Sequence, residues 1–199
     1  MSKRTLILIG ALIVLTVGLV AIAILPSRKT GLQKTNPTPA LKEQAVSPEE
    51  NQKTTLFISP NPLILSSTSG SLNVEIDSKN KVSAVQLEIS YDPNILTVND
   101  ISTPKGSFLE NSIQLFKAID KKNGRISYAL GLPGAVEAKE GTGIVATVRF
   151  TVNDFSKGET VISLLPKTLV TAEGIDTSVL KSATGATIIF PAPSSKLAQ

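Results

Sequence analysis

One stretch of the sequence, Val82–Val98, restricts the possible folds more than any other. Its first half alternates between an apolar set and a polar set: Val85, Leu87, Ile89 and Tyr91 against Ala84, Gln86, Glu88 and Ser90. Successive side chains of a strand point to opposite faces, so this pattern predicts a half-buried β-strand. We expect Asp92-Pro93 to end the strand, because proline cannot donate to a sheet ladder. Asp92 is interpreted as a turn-capping residue rather than a catalytic or metal-binding carboxylate.

Other short segments with strand character occur on both sides of this stretch. They are Thr55–Ser59, Leu63–Leu65, Leu72–Ile76, Ile113–Ile119, Arg125–Leu132, Gly143–Val152, Thr160–Leu165 and Gly185–Phe190. Polar turns separate them, including Asp77–Lys81 and the Asn-Gly hairpin at Asp120–Gly124. About eight or nine short strands without a convincing helix predict an all-β, antiparallel sandwich or barrel.

The chain divides into four parts by composition. Residues 1–26 contain an uncharged apolar run of 20 residues, Leu6–Leu25. At 1.5 Å per residue this run spans roughly 30 Å, which favours a single-pass transmembrane anchor over a cleaved signal peptide. Residues 27–53 are polar and predict a disordered linker, with a partly helical stalk as the alternative. Residues 54–191 form the folded domain, which we expect outside the cytoplasm, and residues 192–199 a flexible tail.

Composition excludes several classes of function. The chain has no Cys, no His and no Trp, and it has two Tyr. It therefore lacks thiolate metal sites and the usual nucleophile–base pairs, so we predict neither an enzyme nor a cofactor. Residues 54–191 hold twelve Lys/Arg and thirteen Asp/Glu, a net charge of −1, although the whole chain is +4. A near-neutral domain argues against nucleic acid as a partner.

Several motifs follow one another in a fixed order: Tyr91-Asp92-Pro93 with Leu96, then Asn123-Gly124-Arg125-Ile126, then Gly143–Phe150 and a late strand at Gly185. This order resembles the cohesin domain, and the resemblance covers about residues 54–191. Cohesins are the jelly-roll β-sandwich receptors of bacterial cellulosomes, related in fold to carbohydrate-binding modules. The resemblance implies a jelly-roll topology and a dockerin partner, a calcium-loaded two-helix module that docks on one flat sheet face.

The resemblance also implies which side chains contact the partner: the polar Gln86, Glu88 and Ser90 and the apolar Tyr128 and Leu130. We predict Thr147 and Arg149 as further polar contacts. Well-studied members often carry Asn and Asp where this chain has Ala84 and Gln86, which puts a standard cellulosomal dockerin in doubt.

The strand at Arg125–Leu132 has two interpretations. Its pattern alone favours burial of the larger side chains, Ile126, Tyr128, Leu130 and Leu132. The resemblance instead places Ile126, Tyr128 and Leu130 outward as an apolar plateau, which would be an interaction site.

These observations together predict a cell-surface protein-binding module that tethers a dockerin-like or other extracellular partner, in polysaccharide degradation or surface attachment. A carbohydrate-binding module that takes a polysaccharide is the first alternative, but such modules stack sugars on Trp or Tyr, which this chain nearly lacks. A structural spacer in a surface assembly is the second alternative.

Overall fold

The computed structural model describes residues 48–190, with side chains from residue 50 onward. Its eleven strands are β1 (Thr54–Ser59), β2 (Leu63–Ile64), β3 (Ser69–Ser90), β4 (Leu96–Ser102), β5 (Ile113–Asp120), β6 (Arg125–Gly131), β7 (Lys139–Val152), β8 (Glu159–Leu164), β9 (Leu169–Ala172), β10 (Leu180–Thr184) and β11 (Ala186–Ile189). The helical part consists of α1 (Pro48–Asn51) and a 3₁₀ turn at Phe155–Lys157. The predicted all-β class is confirmed.

Strand β3 belongs to two sheets. Its first half, residues 69–78, pairs with β1 and β7, and its second half, residues 82–90, pairs with β6, β8 and β9. The first sheet therefore has the order β10–β1–β3–β7–β4. The second sheet runs β5–β6–β3, then β8 and β9 end to end, then β11 and β2. The two sheets pack face to face as a β-sandwich.

The predicted turn at Asp77–Lys81 is wrong. The backbone stays extended through all 22 residues of β3, with an irregular register between Ser78 and Val82. The polar run marks the corner where the strand passes from one sheet to the other. The sequence of such a corner lacks apolar alternation, as the sequence of a turn does. The chain, however, does not reverse its direction there.

The core lies between the inner faces of the two sheets. Strand β3 contributes Leu72, Val74 and Ile76 from its first half and Val85, Leu87 and Ile89 from its second, all at most 2% exposed. Neighbouring strands add Ile58, Leu96, Ile101, Ile126, Val148, Phe150 and Ile162. The period-2 alternation predicted for this stretch therefore does place its apolar side in the core.

Two edge pairings depart from a purely antiparallel sandwich. Strand β1 pairs with β10 in parallel, and β2 pairs with β11 in parallel. The sequence did not predict β9 or β10, because these strands are four and five residues long and β10 is largely exposed. Strand β4 is also absent from the segments predicted as strands.

The Tyr-Asp-Pro turn is stabilised locally and by the β5–β6 hairpin. The Asp92 carboxylate accepts a hydrogen bond from Asn94 N at 2.9 Å, and the Asp92 carbonyl accepts one from Leu96 N at 2.9 Å. The Tyr91 amide donates to the carbonyl of Gly124 at 3.0 Å. The predicted turn-capping role of Asp92 is confirmed.

Several predictions concern residues outside the described part of the chain. These are the anchor at residues 1–26, most of the linker at residues 27–53 and the tail at residues 192–199. Helix α1 lies at the end of the predicted linker. Between residues 48 and 190, no helix is long and apolar enough to cross a membrane.

Candidate protein-binding face

The outer face of the second sheet is built on the second half of β3. Cross-strand pairing sets Ala84 opposite Gly131, Gln86 opposite Ala129, and Glu88 opposite Ser127. Directly opposed residues of an antiparallel pair point to the same face. The polar side of β3 therefore lies beside the small residues of β6, and Gln86 is exposed while Glu88 and Ser90 are half-buried. The predicted outward orientation of these three side chains is confirmed.

Large apolar side chains lie on both flanks of this area. On the β5 side, Ile113 lies opposite Gly131 and Phe116 opposite Ala129, and a bulge inserts Leu115 between them. Their exposed fractions are 53%, 54% and 59% respectively. On the other side, Leu169 of β9 lies opposite Gln86 and is 43% exposed. We call this area, from β5 across β6 and β3 to β9, the docking face.

The same outer surface continues beyond β3 toward β2. Ser163 of β8 lies opposite Ser90, so Val161, two residues earlier, points outward as well. Ile189 and Ile64 follow on β11 and β2, paired with each other. Within residues 50–190, seven large hydrophobic residues are exposed, and six of them lie on this side of the sandwich: Ile64, Ile113, Leu115, Phe116, Val161 and Leu169. The exception, Phe57, lies on the first sheet. Such one-sided exposure marks an interaction surface.

The middle of the docking face is low and flat. Ala84, Ala129 and Gly131 form its floor, and a Cβ atom on Gly131 would lie 3.0 Å from Leu115 Cδ1. The Leu115 side chain therefore lies over the glycine. The distance from β9 to β5 is three strand spacings, about 14 Å, which accommodates an α-helix of about 10–12 Å diameter.

A hydrogen-bonded cluster occupies the centre of the docking face. Ser127 Oγ donates to Glu88 Oε2 at 2.6 Å, and Gln86 Nε2 donates to Glu88 Oε1 at 3.1 Å. Thr168 Oγ1 bonds to the Glu88 backbone, accepting from its N at 3.1 Å and donating to its O at 3.2 Å. The Glu88 carboxylate is thereby held beside Gln86, which lies between the apolar flanks at Phe116 and Leu169.

The outward placement of Ile126, Tyr128 and Leu130 is wrong. These side chains are 0%, 2% and 2% exposed, because they lie opposite the inward residues of β3. The Tyr128 hydroxyl bonds to Thr103 Oγ1 at 3.0 Å inside the sandwich. Tyr128 and Leu130 are therefore core residues and cannot contact a partner on the outer face. The interpretation from the strand pattern alone is confirmed.

Thr147 and Arg149 do not join the docking face. Both lie on β7 in the first sheet, where Thr147 Oγ1 donates to Asn73 Oδ1 at 2.9 Å. Arg149 donates to Asp100 Oδ2 at 2.7 Å, and Lys117 Nζ reaches Asp100 Oδ1 at 2.5 Å. The hydrogen bond from Lys117, followed by that from Arg149, lowers the pKa of Asp100 below its ordinary value.

The sequence reasoning missed four residues of the docking face: Ile113, Leu115, Phe116 and Leu169. Three of them belong to β5, which was predicted as a strand. Its adjacent apolar residues at 115 and 116 break the period-2 pattern, which is the signal of the bulge. Leu169 belongs to β9, a strand the sequence did not reveal. Among the described residues, no group of three acidic side chains could hold a metal ion.

Comparison with known proteins agrees with this architecture. The family model described as the cohesin domain matches residues 69–190. The solution structure of CaCohA2 from Clostridium acetobutylicum is 21% identical, with a TM-score of 0.56, covering 70% of this chain and 92% of that one. A non-cellulosomal cohesin from Archaeoglobus fulgidus is 20% identical, with a TM-score of 0.54, covering 70% of this chain and 92% of that one.

A third similar structure contains a bound partner. It is the Coh-OlpA–Doc918 complex, a type I cohesin–dockerin complex from Clostridium thermocellum. The match is 12% identical with a TM-score of 0.56, covering 69% of this chain and 99% of that one. No curated protein matches this chain. Since the family model matches more than half of the 199 residues, the chain belongs to the cohesin family.

Proposed function

We propose that this protein is a non-catalytic receptor that binds a dockerin-like helical module on the docking face. The observation that carries the proposal is the one-sided exposure of large apolar residues, above all Leu115, Phe116 and Leu169 beside a floor of small residues. Burial of apolar area drives protein association, and interfaces concentrate it in a central patch. The dockerin complex of a structurally similar cohesin supports the choice of partner.

The contacts differ from those expected of a standard cellulosomal pair. Ala84 and Gln86 replace the Asn and Asp that often hydrogen-bond the dockerin helix. In this chain the floor is apolar at Ala84, while Gln86 is already engaged with Glu88 at 3.1 Å. A matching partner therefore relies more on apolar contacts at the flanks.

We further propose that the domain is displayed on the outside of the cell. Leu6–Leu25 is long enough to span a bilayer, and the polar residues 27–53 would separate the domain from the membrane. The role would then be to tether a secreted partner to the surface, in polysaccharide degradation or in attachment.

Burial of both tyrosines favours protein binding over direct carbohydrate binding. Tyr91 is 6% exposed and Tyr128 is 2% exposed, and the sequence has no Trp. Residues 50–190 therefore present no flat row of Tyr or Trp rings for stacking sugars.

A capture experiment tests the proposal. The full-length chain, in detergent micelles, is incubated with the secreted proteins of its host, and the bound proteins are identified by mass spectrometry. We expect a module with paired calcium loops, released by a calcium chelator and lost with the double variant Phe116→Ala/Leu169→Ala. The matched control, Thr147→Ala/Arg149→Ala on the first sheet, should capture it normally. Capture unchanged by the docking-face variant contradicts the proposal.

A further inference from the structure

Glu88 lies on the docking face, two residues along β3 from Gln86. On one side its neighbour across the strands is Ser127 of β6, and on the other side Leu165 N donates to its backbone carbonyl at 2.7 Å. Gln86 lies in the row between the apolar residues Phe116 and Leu169, and Glu88, the next outward residue of β3, accepts a hydrogen bond from it at 3.1 Å. Two residues of a strand span about 7 Å, so a helix of about 10–12 Å diameter that lies along β3 between the flanks also covers this carboxylate.

The Glu88 carboxylate is hydrogen-bonded but not neutralised. Its two side-chain donors, Ser127 Oγ and Gln86 Nε2, are both uncharged. Within residues 50–190, no Lys or Arg nitrogen lies within 4.0 Å of it, since the three ion pairs found there involve Glu137 and Asp100. Two donors leave part of the acceptor capacity of the carboxylate for water.

Asp100 on the first sheet shows the opposite arrangement. Its carboxylate is paired with Lys117 and Arg149 of the same chain. A partner that covered Asp100 would meet a neutralised group. A partner that covers Glu88 meets an unpaired negative charge.

Covering Glu88 with an apolar helix face would be unfavourable. Removing water from a charged group without a compensating partner weakens binding, and this cost opposes the gain from the flanks. A cation placed over the carboxylate offsets the cost and adds a charge-assisted hydrogen bond.

We propose that Glu88 is a specificity-determining residue, which selects a partner helix carrying one Lys or Arg between two apolar side chains. The apolar residues contact the flanks at Phe116 and Leu169, and the cation lies over Glu88. The inference rests on the proposed function, because it assumes that a helix occupies the docking face. It adds the charge that the helix must carry.

A displayed library separates this inference from the proposed function. The probe is a yeast-display library of a calcium-loaded two-helix scaffold with randomised helix faces, selected against the full-length chain in detergent micelles. Glu88→Gln is the test variant, since it keeps the shape and removes the charge. Glu75→Gln is the matched control, because Glu75 is also half-buried on β3 and accepts a hydrogen bond from a serine, Ser59, but on the first sheet.

We expect the selected clones whose binding depends on Phe116 and Leu169 to carry Lys or Arg at one helix position more often than the unselected library does. Glu88→Gln should weaken their binding about tenfold or more, as expected for loss of a charge-assisted bond, and Glu75→Gln should leave it unchanged. Replacing the clone's cation with Glu should abolish binding to the unchanged chain and restore binding to Glu88→Lys.

Two results would contradict the inference, and they differ in what they imply for the proposed function. Clones that need Phe116 and Leu169 but tolerate Glu88→Gln within twofold contradict the role of Glu88 and leave the proposed function standing. A selection in which no clone depends on Phe116 and Leu169 contradicts the proposed function and the inference together.

Discussion

Ser127 Oγ donates to Glu88 Oε2 across 2.6 Å, joining β6 to β3 in the middle of the docking face. This bond and the one from Gln86 fix the carboxylate in one orientation before any partner arrives. A preorganised side chain loses less conformational entropy on binding than a free one. The hydrogen bond between Ser127 and Glu88 therefore stabilises the pairing of β6 with β3 and also preorganises the surface that binds the partner.

The variant Ser127→Ala should lower the free energy of unfolding by about 1 kcal/mol, because it removes a hydrogen bond to a half-buried carboxylate. Urea denaturation measures the change. Ser71→Ala is the control: Ser71 is exposed on β3 and should cost less than about 0.5 kcal/mol. Equal losses for the two variants would show that the bond to Glu88 contributes no stability.

Leu130 and Leu115 should differ sharply in their effect on stability. Leu130 is 2% exposed, so Leu130→Ala leaves a cavity in the core and should cost about 2–5 kcal/mol. Leu115 is 59% exposed, and Leu115→Ala should cost less than about 0.5 kcal/mol. Urea denaturation of both variants tests whether Leu130 of β6 lies in the core while Leu115 of β5 lies on the surface. A small loss for Leu130→Ala would contradict the inward orientation.

Gly124 should not tolerate a side chain. Its φ is 62°, and an added Cβ would lie 2.1 Å from the carbonyl oxygen of Tyr91. Gly124→Ala should therefore cost at least about 2 kcal/mol, from backbone strain and displacement of the Tyr-Asp-Pro turn. Gly106 has a φ of 74° with open space around it, so Gly106→Ala should cost about 1 kcal/mol from strain alone. Similar melting temperatures for the two variants would exclude the close contact with Tyr91.

The ion pairs of Asp100 should stabilise the domain in a pH-dependent way. Its pKa is lowered in the folded chain, first by the hydrogen bond from Lys117. The stabilisation is therefore present above the ordinary value of about 3.9 and is lost as the pH falls through the lower folded value. Asp100→Asn should cost about 1 kcal/mol at pH 7, and the deficit should shrink below about pH 4.

Urea denaturation of Asp100→Asn at pH 7, 5 and 3 measures this dependence. Asp77→Asn serves as the control, because Asp77 is an exposed carboxylate outside the network. A deficit as large at pH 3 as at pH 7 would show that the loss arises from packing rather than from the charge of Asp100.

The sequence predicted the parts of the fold that depend on period-2 alternation. Val85, Leu87 and Ile89 were placed in the core, and Gln86 and Glu88 outside it, because a half-buried strand shows its two faces directly. Strand β9 buries Val170 and Ala172, but its four residues are too few to show a period, and β10 is short and largely exposed. The polar corner at Asp77–Lys81 lacks apolar alternation as a turn does, so the sequence pattern does not distinguish the two.

The docking face was predicted only in part. Its polar centre follows from the alternation of β3, but its apolar flanks depend on which strands are neighbours. Phe116 and Leu169 are distant in sequence, and only the sheet order places them on either side of β3 and β6. Tyr128 and Leu130 lie in the core, as the pattern of β6 alone predicts, whereas the resemblance implies the opposite orientation.

Hydrogen–deuterium exchange of the full-length chain, with and without its captured calcium-binding module, tests the central claim most directly. We predict slower exchange in residues 113–120 of the β5 edge strand and in residues 165–172, because a partner on the docking face covers both flanks. Exchange in β4 and β7 should not change. Protection of residues 96–102 and 139–152 instead, with β5 unaffected, would place the partner on the first sheet and contradict the account.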